Sequence, residues 1–358
     1  MKNQTKWHFG LKLWEQLLPL KKQGLYPVLV LTILLTGCKK IDGESVQSGI
    51  LPGMKSAATS SVTGDEFTVI VMPDTQYLVS RKRGGTPKMF QDMITWIKNN
   101  RTTENIVYVA GVGDIVDDGD RLTPQGTDPN PVPVDSQWIN ASSNGGYYDL
   151  ETPITGLPNG IPYGHAVGNH EQTPRGYPVT GTTNNYNSKF GKSHFSGRSY
   201  YGGSYRTTDN DSHYDLFSAG GVDFIVIYLE LDEFDEERTA LNDWVDGKLA
   251  TYASRKAIIV SHFILGWDGD GVFEQQLADE TPGFGSQAST LYTKIKNRPN
   301  VMMMLSGHVS GVGRRQDTYN GKTVKSFLTD FQNTTDFQTV PNGGSGMLRL
   351  LTFSKLKK

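Results

Sequence analysis

The stretch IVYVAGVGDIVDDG, residues 106–119, decides the fold class. Its opening residues are apolar without alternation, as a strand covered on both faces should be, and they run directly into glycines and carboxylates. Similar short runs recur as FTVIVM (67–72), DFIVIYL (223–229), AIIVSH (257–262), VMMML (301–305) and MLRLLTF (347–353). Helical patterns lie between them. Thr86-Pro87 predicts an N-cap and first turn, and Met89, Phe90, Met93, Ile94 and Ile97 follow at helical spacing. Leu241, Trp244, Val245 and Leu249 mark a second helix, and Leu291 and Ile295 a third. Strands interleaved with helices predict an α/β layered sandwich, formed by one folded body over residues 65–358. The stretches 123–164 and 172–210 are rich in Pro, Gly, Asn and Tyr. They read as long ordered loops shaping a cleft, with one short helix near Trp138.

Polar side chains able to hold a metal gather just after the apolar runs. Asp74 and Gln76 follow the first, Asp114 and Asp117 the second, and Asn169 and His170 stand in AVGNHE. His262 closes AIIVSH, and His308 lies in SGH after the VMMML run. An isolated Asp after a strand is more often a turn residue or helix cap, but five such segments in order point to one site. Open α/β sheets bind ligands outside the carboxyl ends of their strands. A mixture of carboxylate, amide and imidazole suits Mn, Fe or Zn.

The order Asp-x-Gln, Gly-Asp-x-x-Asp, Gly-Asn-His-Glu, His, Gly-His resembles the calcineurin-like metallophosphoesterase family over roughly residues 67 to 353. The resemblance implies two β-sheets packed as a sandwich flanked by helices, two metal ions between the sheet ends, and hydrolysis of phosphate mono- or diesters by a metal-activated water. It also implies roles. Asp114 would bridge the ions, Asn169, His262 and His308 would complete one site, and Asp74 would belong to the other. His170 would be the general acid, with Asp117 either orienting it or supplying a metal ligand. Two ions can share and activate a water, and a positioned imidazole can protonate the leaving oxygen.

Two departures from the family pattern fall on one ion. Gln76 stands where an imidazole is usual, and Ser310 stands where Gly-His-x-His would supply another. A Gln carbonyl can replace one ligand, but a Ser hydroxyl is a poor substitute. The expectation is therefore one firmly bound ion (Mn, Fe or Zn) and a second, weaker one (Mn, Mg or Ca), which Ser310→His would strengthen. His194 or His213, from the long loops, could instead fill the gap. His165 reads as a packed or edge residue, and Trp138 either lines the site or anchors its loop. Asp118 occupies the position where some family phosphatases carry a phosphate-gripping Arg, leaving Arg175, Arg314 and Arg315 as candidate clamps. The rival reading is a non-catalytic surface protein binding a ligand on a degenerate scaffold. Such a binder has no need of His170, Asp117, Asn169, His262 and His308 together.

The 358 residues include 35 Lys and Arg, 37 Asp and Glu, and one Cys. A single Cys excludes a disulfide framework, a four-thiolate zinc site and an iron–sulfur cluster. That Cys is Cys38, at the end of LTGC, and it follows the apolar run LYPVLVLTILL (25–35) with five lysines ahead of it. The run is the length of a signal-peptide core, too short to span a bilayer. The Leu35–Cys38 segment resembles a bacterial lipobox, which implies lipidation at Cys38, removal of residues 1–37 and export to a membrane face. Residues 38–64 read as a flexible tether. Removing residues 1–37 takes five Lys and one Glu, leaving 30 basic and 36 acidic side chains, a formal −6. That balance makes long nucleic acids an improbable partner and leaves a small phosphoester as the expected one.

Overall fold

The strand Ile106–Gly111 is buried along its whole length. It lies parallel to Glu66–Met72 on one side and to Tyr163–His165 on the other. Leu348–Lys355 pairs antiparallel with the far edge of Glu66–Met72. A second sheet runs in the order Gly311–Tyr319, Lys322–Asp330, Val301–Ser306, Lys256–Ser261, Val222–Leu229, His213–Ala219. Its central pairs are parallel. In this computed structural model the described residues are 66–126, 130–174, 181–231, 235–266, 282–332 and 341–355, with strand backbone also at Phe9–Gln16, Leu31–Thr32 and Ala58–Thr59. Phe9–Gln16 and Leu31–Thr32 extend the first sheet beyond Leu348–Lys355. Ala58–Thr59 pairs with His213–Ala219. Cys38 and the lipobox-like segment lie outside the described residues.

The period of two along each strand explains the unbroken apolar runs. Phe67, Val69 and Val71 face between the sheets, against Phe224, Val226, Ile258, Val260, Met303 and Leu305. Ile70 and Met72 face the other way, onto Phe90, Met93, Ile94 and Ile97 of helix Pro87–Asn100. On the outer face of the second sheet, Ile225, Ile227, Leu229 and Ile259 pack with Leu241, Val245 and Leu249 of helix Asp235–Thr251 and with Leu291 and Ile295 of helix Ser286–Ile295. Both sheets are thus covered on both sides, giving an α/β sandwich of two sheets flanked by helices. At the start of Pro87–Asn100, Thr86 accepts the Met89 N–H as N-cap, with Pro at the first position.

Two features differ from the sequence reading. Within 172–210 the chain forms helices Asn184–Phe190 and Lys192–Phe195 and strand Tyr201–Ser204. Tyr186, Phe190 and Phe195 are buried against the core, so packing overrides a polar, turn-rich composition. Gly311–Tyr319 and Lys322–Asp330 form a hairpin closed by Asn320 and Gly321, both at positive φ. This is the twist-matched two-residue turn that Asn-Gly favours.

Candidate metal centre and active site

Five parallel strands deliver their following residues to one edge of the sandwich. Asp74 follows Glu66–Met72, and Asp114 and Asp117 follow Ile106–Gly111. Asn169 and His170 follow Tyr163–His165, His262 follows Lys256–Ser261, and His308 follows Val301–Ser306.

His262 is the centre of the group. Its Nδ1 lies 2.9 Å from the Val112 carbonyl, to which it donates, and this leaves Nε2 with its lone pair inward. Around Nε2 stand Asp114 Oδ1 at 3.2 Å, Asn169 Oδ1 at 3.2 Å and His308 Nδ1 at 3.1 Å. Among the described residues, Asp114, His262 and His308 offer ligand atoms all within 4.8 Å of one another. Lone pairs packed this closely repel unless a cation sits among them. A proton is one such cation. Burial opposes charge on His262, yet the Asp114 carboxylate pushes its pKa up to about 10. Burial and the neighbouring His262 push His308 down to about 3. A divalent ion would satisfy the whole set at once, and carboxylate, amide and imidazole together fit Mn, Fe or Zn.

Close backbone approach makes this convergence possible. Asp114 has φ 51°, a conformation an L-residue holds only when its surroundings enforce it. Glu171 does so. Its carboxylate accepts the N–H groups of Asp114, Ile115, Val116 and Gly168 at 2.6–3.2 Å, clamping the GDIV turn to the GNHE turn. A Cβ on Gly168 would fall 2.3 Å from Asp114 Oδ1, so only glycine fits. Burial would raise the Asp114 pKa, but His170, His262 and His308 hold it far below the ordinary carboxylate range.

His170 is 8% exposed and stands beside this group. Its Nδ1 lies 2.9 Å from Asp117 Oδ1, and its Nε2 3.7 Å from Asp114 Oδ2. Asp117 therefore sits on the imidazole, as an orienting carboxylate should. Burial alone would raise the Asp117 pKa; the His170 and Lys82 contacts hold it below its ordinary value. Lys82 pairs with Asp117 Oδ2 and lies 3.9 Å from Asp118 Oδ2. Gln137 accepts the Asp117 N–H at 3.1 Å and donates to Asp118 at 2.7 Å. Trp138 is buried and donates to the Gly119 carbonyl at 2.9 Å, so it anchors this loop.

On the other flank, Asp74 Oδ2 accepts the His308 N–H at 2.9 Å, while Oδ1 is buried with no hydrogen-bond partner among the described residues. A Cβ on Gly307 would fall 1.9 Å from that Oδ1. Gln76 departs from the expected ligand geometry. Its amide nitrogen donates to Asp114 Oδ2 at 3.1 Å, and its carbonyl oxygen, expected to face an ion, is taken by Gln332 Nε2 at 2.6 Å.

Arg175 is outside the described residues. Arg314 is exposed on the Gly311–Tyr319 strand. Arg315 is paired with Asp317 at 2.9 Å and with the Pro282 carbonyl at 3.1 Å; among the described residues, Lys82 is a cation that does reach the site, through Asp117. His194 is bound to Glu151 at 2.7 Å, and His213 is buried, stacked on Tyr228 and bonded to the Asn210 carbonyl. Neither fills the gap beside Asp74. His165 is packed, fully buried, edge-on to Tyr147. The sequence reading gave no role to Glu171, although it stands in GNHE, and did not find Lys82 or Gln332.

A family model described as calcineurin-like phosphoesterase matches residues 67–310. The chain belongs to the calcineurin-like phosphoesterase family. It is also 31% identical over 293 residues to the uncharacterized protein YvnB of Bacillus subtilis, an alignment covering 81% of this chain and 19% of that protein. The chain thus spans about a fifth of that relative's length. Among solved structures, a Plasmodium protein described as GAP50, the anchor in the inner membrane complex, is similar at TM-score 0.40 and 14% identity, over 81% of this chain and 78% of that one. A dimetal phosphatase from Danio rerio is similar at TM-score 0.37 and 14% identity, over 73% and 86%. The assignment to the phosphoesterase family rests on the family match and on the residues at the strand ends, not on these distant likenesses.

Proposed function

We propose that this phosphoesterase-family chain is a metal-dependent hydrolase of small phosphate mono- or diesters, with His170 as the general acid. The observation that carries the reading is the His170–Asp117 pair standing beside the Asp114–His262–His308 group. Asp114, Asn169, His262 and His308 would hold one divalent ion, with a second beside Asp74; bound metal supplies activation of a water and neutralisation of phosphoryl charge. The chain's own residues supply the rest. Asp117 fixes the proton on His170 Nδ1 and keeps the ring turned so that Nε2 faces the cleft. A proton held at Nε2 can then pass to the oxygen that departs when the ester bond breaks. A non-catalytic binder has no use for a carboxylate-oriented imidazole at that position.

The same proposal places the protein outside the cytoplasm, held to a bacterial membrane through lipid on Cys38. Support comes from the lysine-flanked apolar run ending in LTGC and from the position of the chain's one Cys. The formal −6 of the chain after residue 37 favours small substrates over long nucleic acids.

The test is the leaving-group dependence of His170→Ala in the metal-loaded protein. Turnover should fall by about 10²–10⁴-fold on esters with poor leaving groups and much less on those whose leaving oxygen needs no proton. Equal losses across the series would remove His170 from the acid role.

A further inference from the structure

The strands that carry the site end at one edge of the sandwich and begin at the opposite edge, where cations gather. Lys256 opens Lys256–Ser261, and in the adjoining parallel strand Val301 pairs with Ala257. The next strand opens at Lys322, three residues before Lys325, which pairs with Met303. The three strands therefore begin side by side, about 4.8 Å apart. Lys322 Nζ donates to the Arg298 carbonyl, Lys296 lies over the Tyr319 ring at 4.7 Å, and Arg255 donates to the Phe224 carbonyl at 3.1 Å. Some of these charges are answered. Asp246 holds Arg298 at 2.5 Å, Asp243 holds Lys294 at 2.5 Å, and Asp223 lies 4.0 Å from Arg255. Lys256, Lys296 and Lys322 are partly exposed and have no carboxylate partner among the described residues. Burial, and then the Lys256 charge, push Lys322 down to about 8. A cluster of this sign is out of keeping with a chain that is formally −6 after residue 37.

The chain arrives at the same edge. Glu66 opens Glu66–Met72 and pairs with Ser354, near the end of Leu348–Lys355. Next to it, Phe67 meets Phe353 at 5.0 Å and Phe224, the parallel partner of Lys256, at 5.6 Å. Ala58 and Thr59 pair with Phe217 and Ser218, and Phe217 in turn pairs with Phe224. The segment leading from Cys38 thus joins the body at the edge where Lys256 stands. Read as a flexible tether, the stretch from Cys38 to Ala58, about 20 residues, spans roughly 25 Å. The catalytic edge lies roughly 20 Å further along the strands.

We propose that this edge, with Lys256, Lys296 and Lys322 at its centre, is the face that the protein lays on an anionic phospholipid surface. The inference rests on the lipid anchor at Cys38 proposed above. Lipid and a basic patch reinforce each other, because each Lys or Arg near the surface adds attraction to anionic head groups. The catalytic edge then points away from the membrane, so the ester it takes arrives from solution.

The test is lysine acylation footprinting of the purified full chain, read by mass spectrometry, with vesicles of phosphatidylcholine alone and of phosphatidylcholine with phosphatidylglycerol. Lipid on Cys38 is scored by mass in the same samples. With phosphatidylglycerol, Lys256, Lys296 and Lys322 should react several-fold more slowly, and high salt should remove the effect. Lys88, whose side chain is 68% exposed in the first turn of Pro87–Asn100, should react alike on both vesicles. Lys256→Glu combined with Lys296→Glu should abolish the slowing at Lys322. Should that variant fail to fold, the salt dependence of the wild-type footprint decides. Equal rates on the two vesicles, or slowing at Lys88 in place of the three lysines, overturns the proposed face, and lipid found on Cys38 then leaves the anchor standing. Slowing without lipid on Cys38 keeps the face and removes the anchor. Absence of both signals removes both.

Discussion

Asp117 Oδ1 lies 2.9 Å from His170 Nδ1, while Lys82 holds the other oxygen of the same carboxylate. The imidazole proposed as the acid is therefore aimed from behind by a group that is itself fixed. Asp117→Asn should keep the metal content and lower turnover by about 10–100-fold, as for the loss of a partner that orients a working imidazole. Metal analysis and kinetics on the same preparation check this. A fall in bound metal would make Asp117 a ligand instead.

Glu171 is the clamp of the site. Replacing it with Ala would leave four buried backbone N–H groups without their carboxylate acceptor. An unsatisfied buried donor costs about 1–3 kcal/mol, so Glu171→Ala should lose on the order of 3 kcal/mol or more. Denaturant melts measure it directly. The firm metal site should weaken as well, because Asp114 stands in the clamped turn.

Asp215 gives the fold a pH dependence separate from the site. It is buried between the sheets, accepting from Tyr108, whose hydroxyl accepts from Tyr228 at 3.0 Å. Burial pushes its pKa up to about 8 from an ordinary 3.8. Between those values the folded state holds a proton that the unfolded state has released. The contribution to stability is therefore complete below the unfolded pKa and is lost as pH rises through the folded one. Asp215→Asn keeps an acceptor for Tyr108 and removes the titration. Its stability relative to wild type should grow from about pH 6 to about pH 8. A constant difference across that range would contradict the assignment.

Anchoring is tested at Cys38. Cys38→Ser should abolish lipid labelling and release the protein from the membrane fraction. Unchanged fractionation would end the lipoprotein reading.

The cluster of candidate ligand residues was legible because parallel strands place consecutive motifs at one edge, and continuous apolar runs announce such strands. What stayed hidden travels on structure that local pattern describes poorly. Asn320-Gly321 closes a hairpin that the sequence reading did not contain, because its strand Lys322–Asp330 begins KTVKS, too polar to read as a central strand. Gln332, just beyond its end, went unseen with it. Lys82 reaches Asp117 from a turn beyond a short helix, Gln76–Val79, a contact that no spacing rule supplies. His194 and His213 had the right chemistry for a metal, but each is committed elsewhere by its neighbours, Glu151 and Tyr228.

The central claim is that the strand-end residues hold metal for phosphoester hydrolysis. The most direct measurement is turnover of aryl phosphate mono- and diesters by the purified protein, before chelation, after it, and after adding back Mn²⁺, with bound metal counted at each step. The account expects hydrolysis that disappears with the metal and returns with it, and His262→Ala should neither hold the firm ion nor turn over. Metal-loaded wild-type protein that hydrolyses neither class of ester would contradict it.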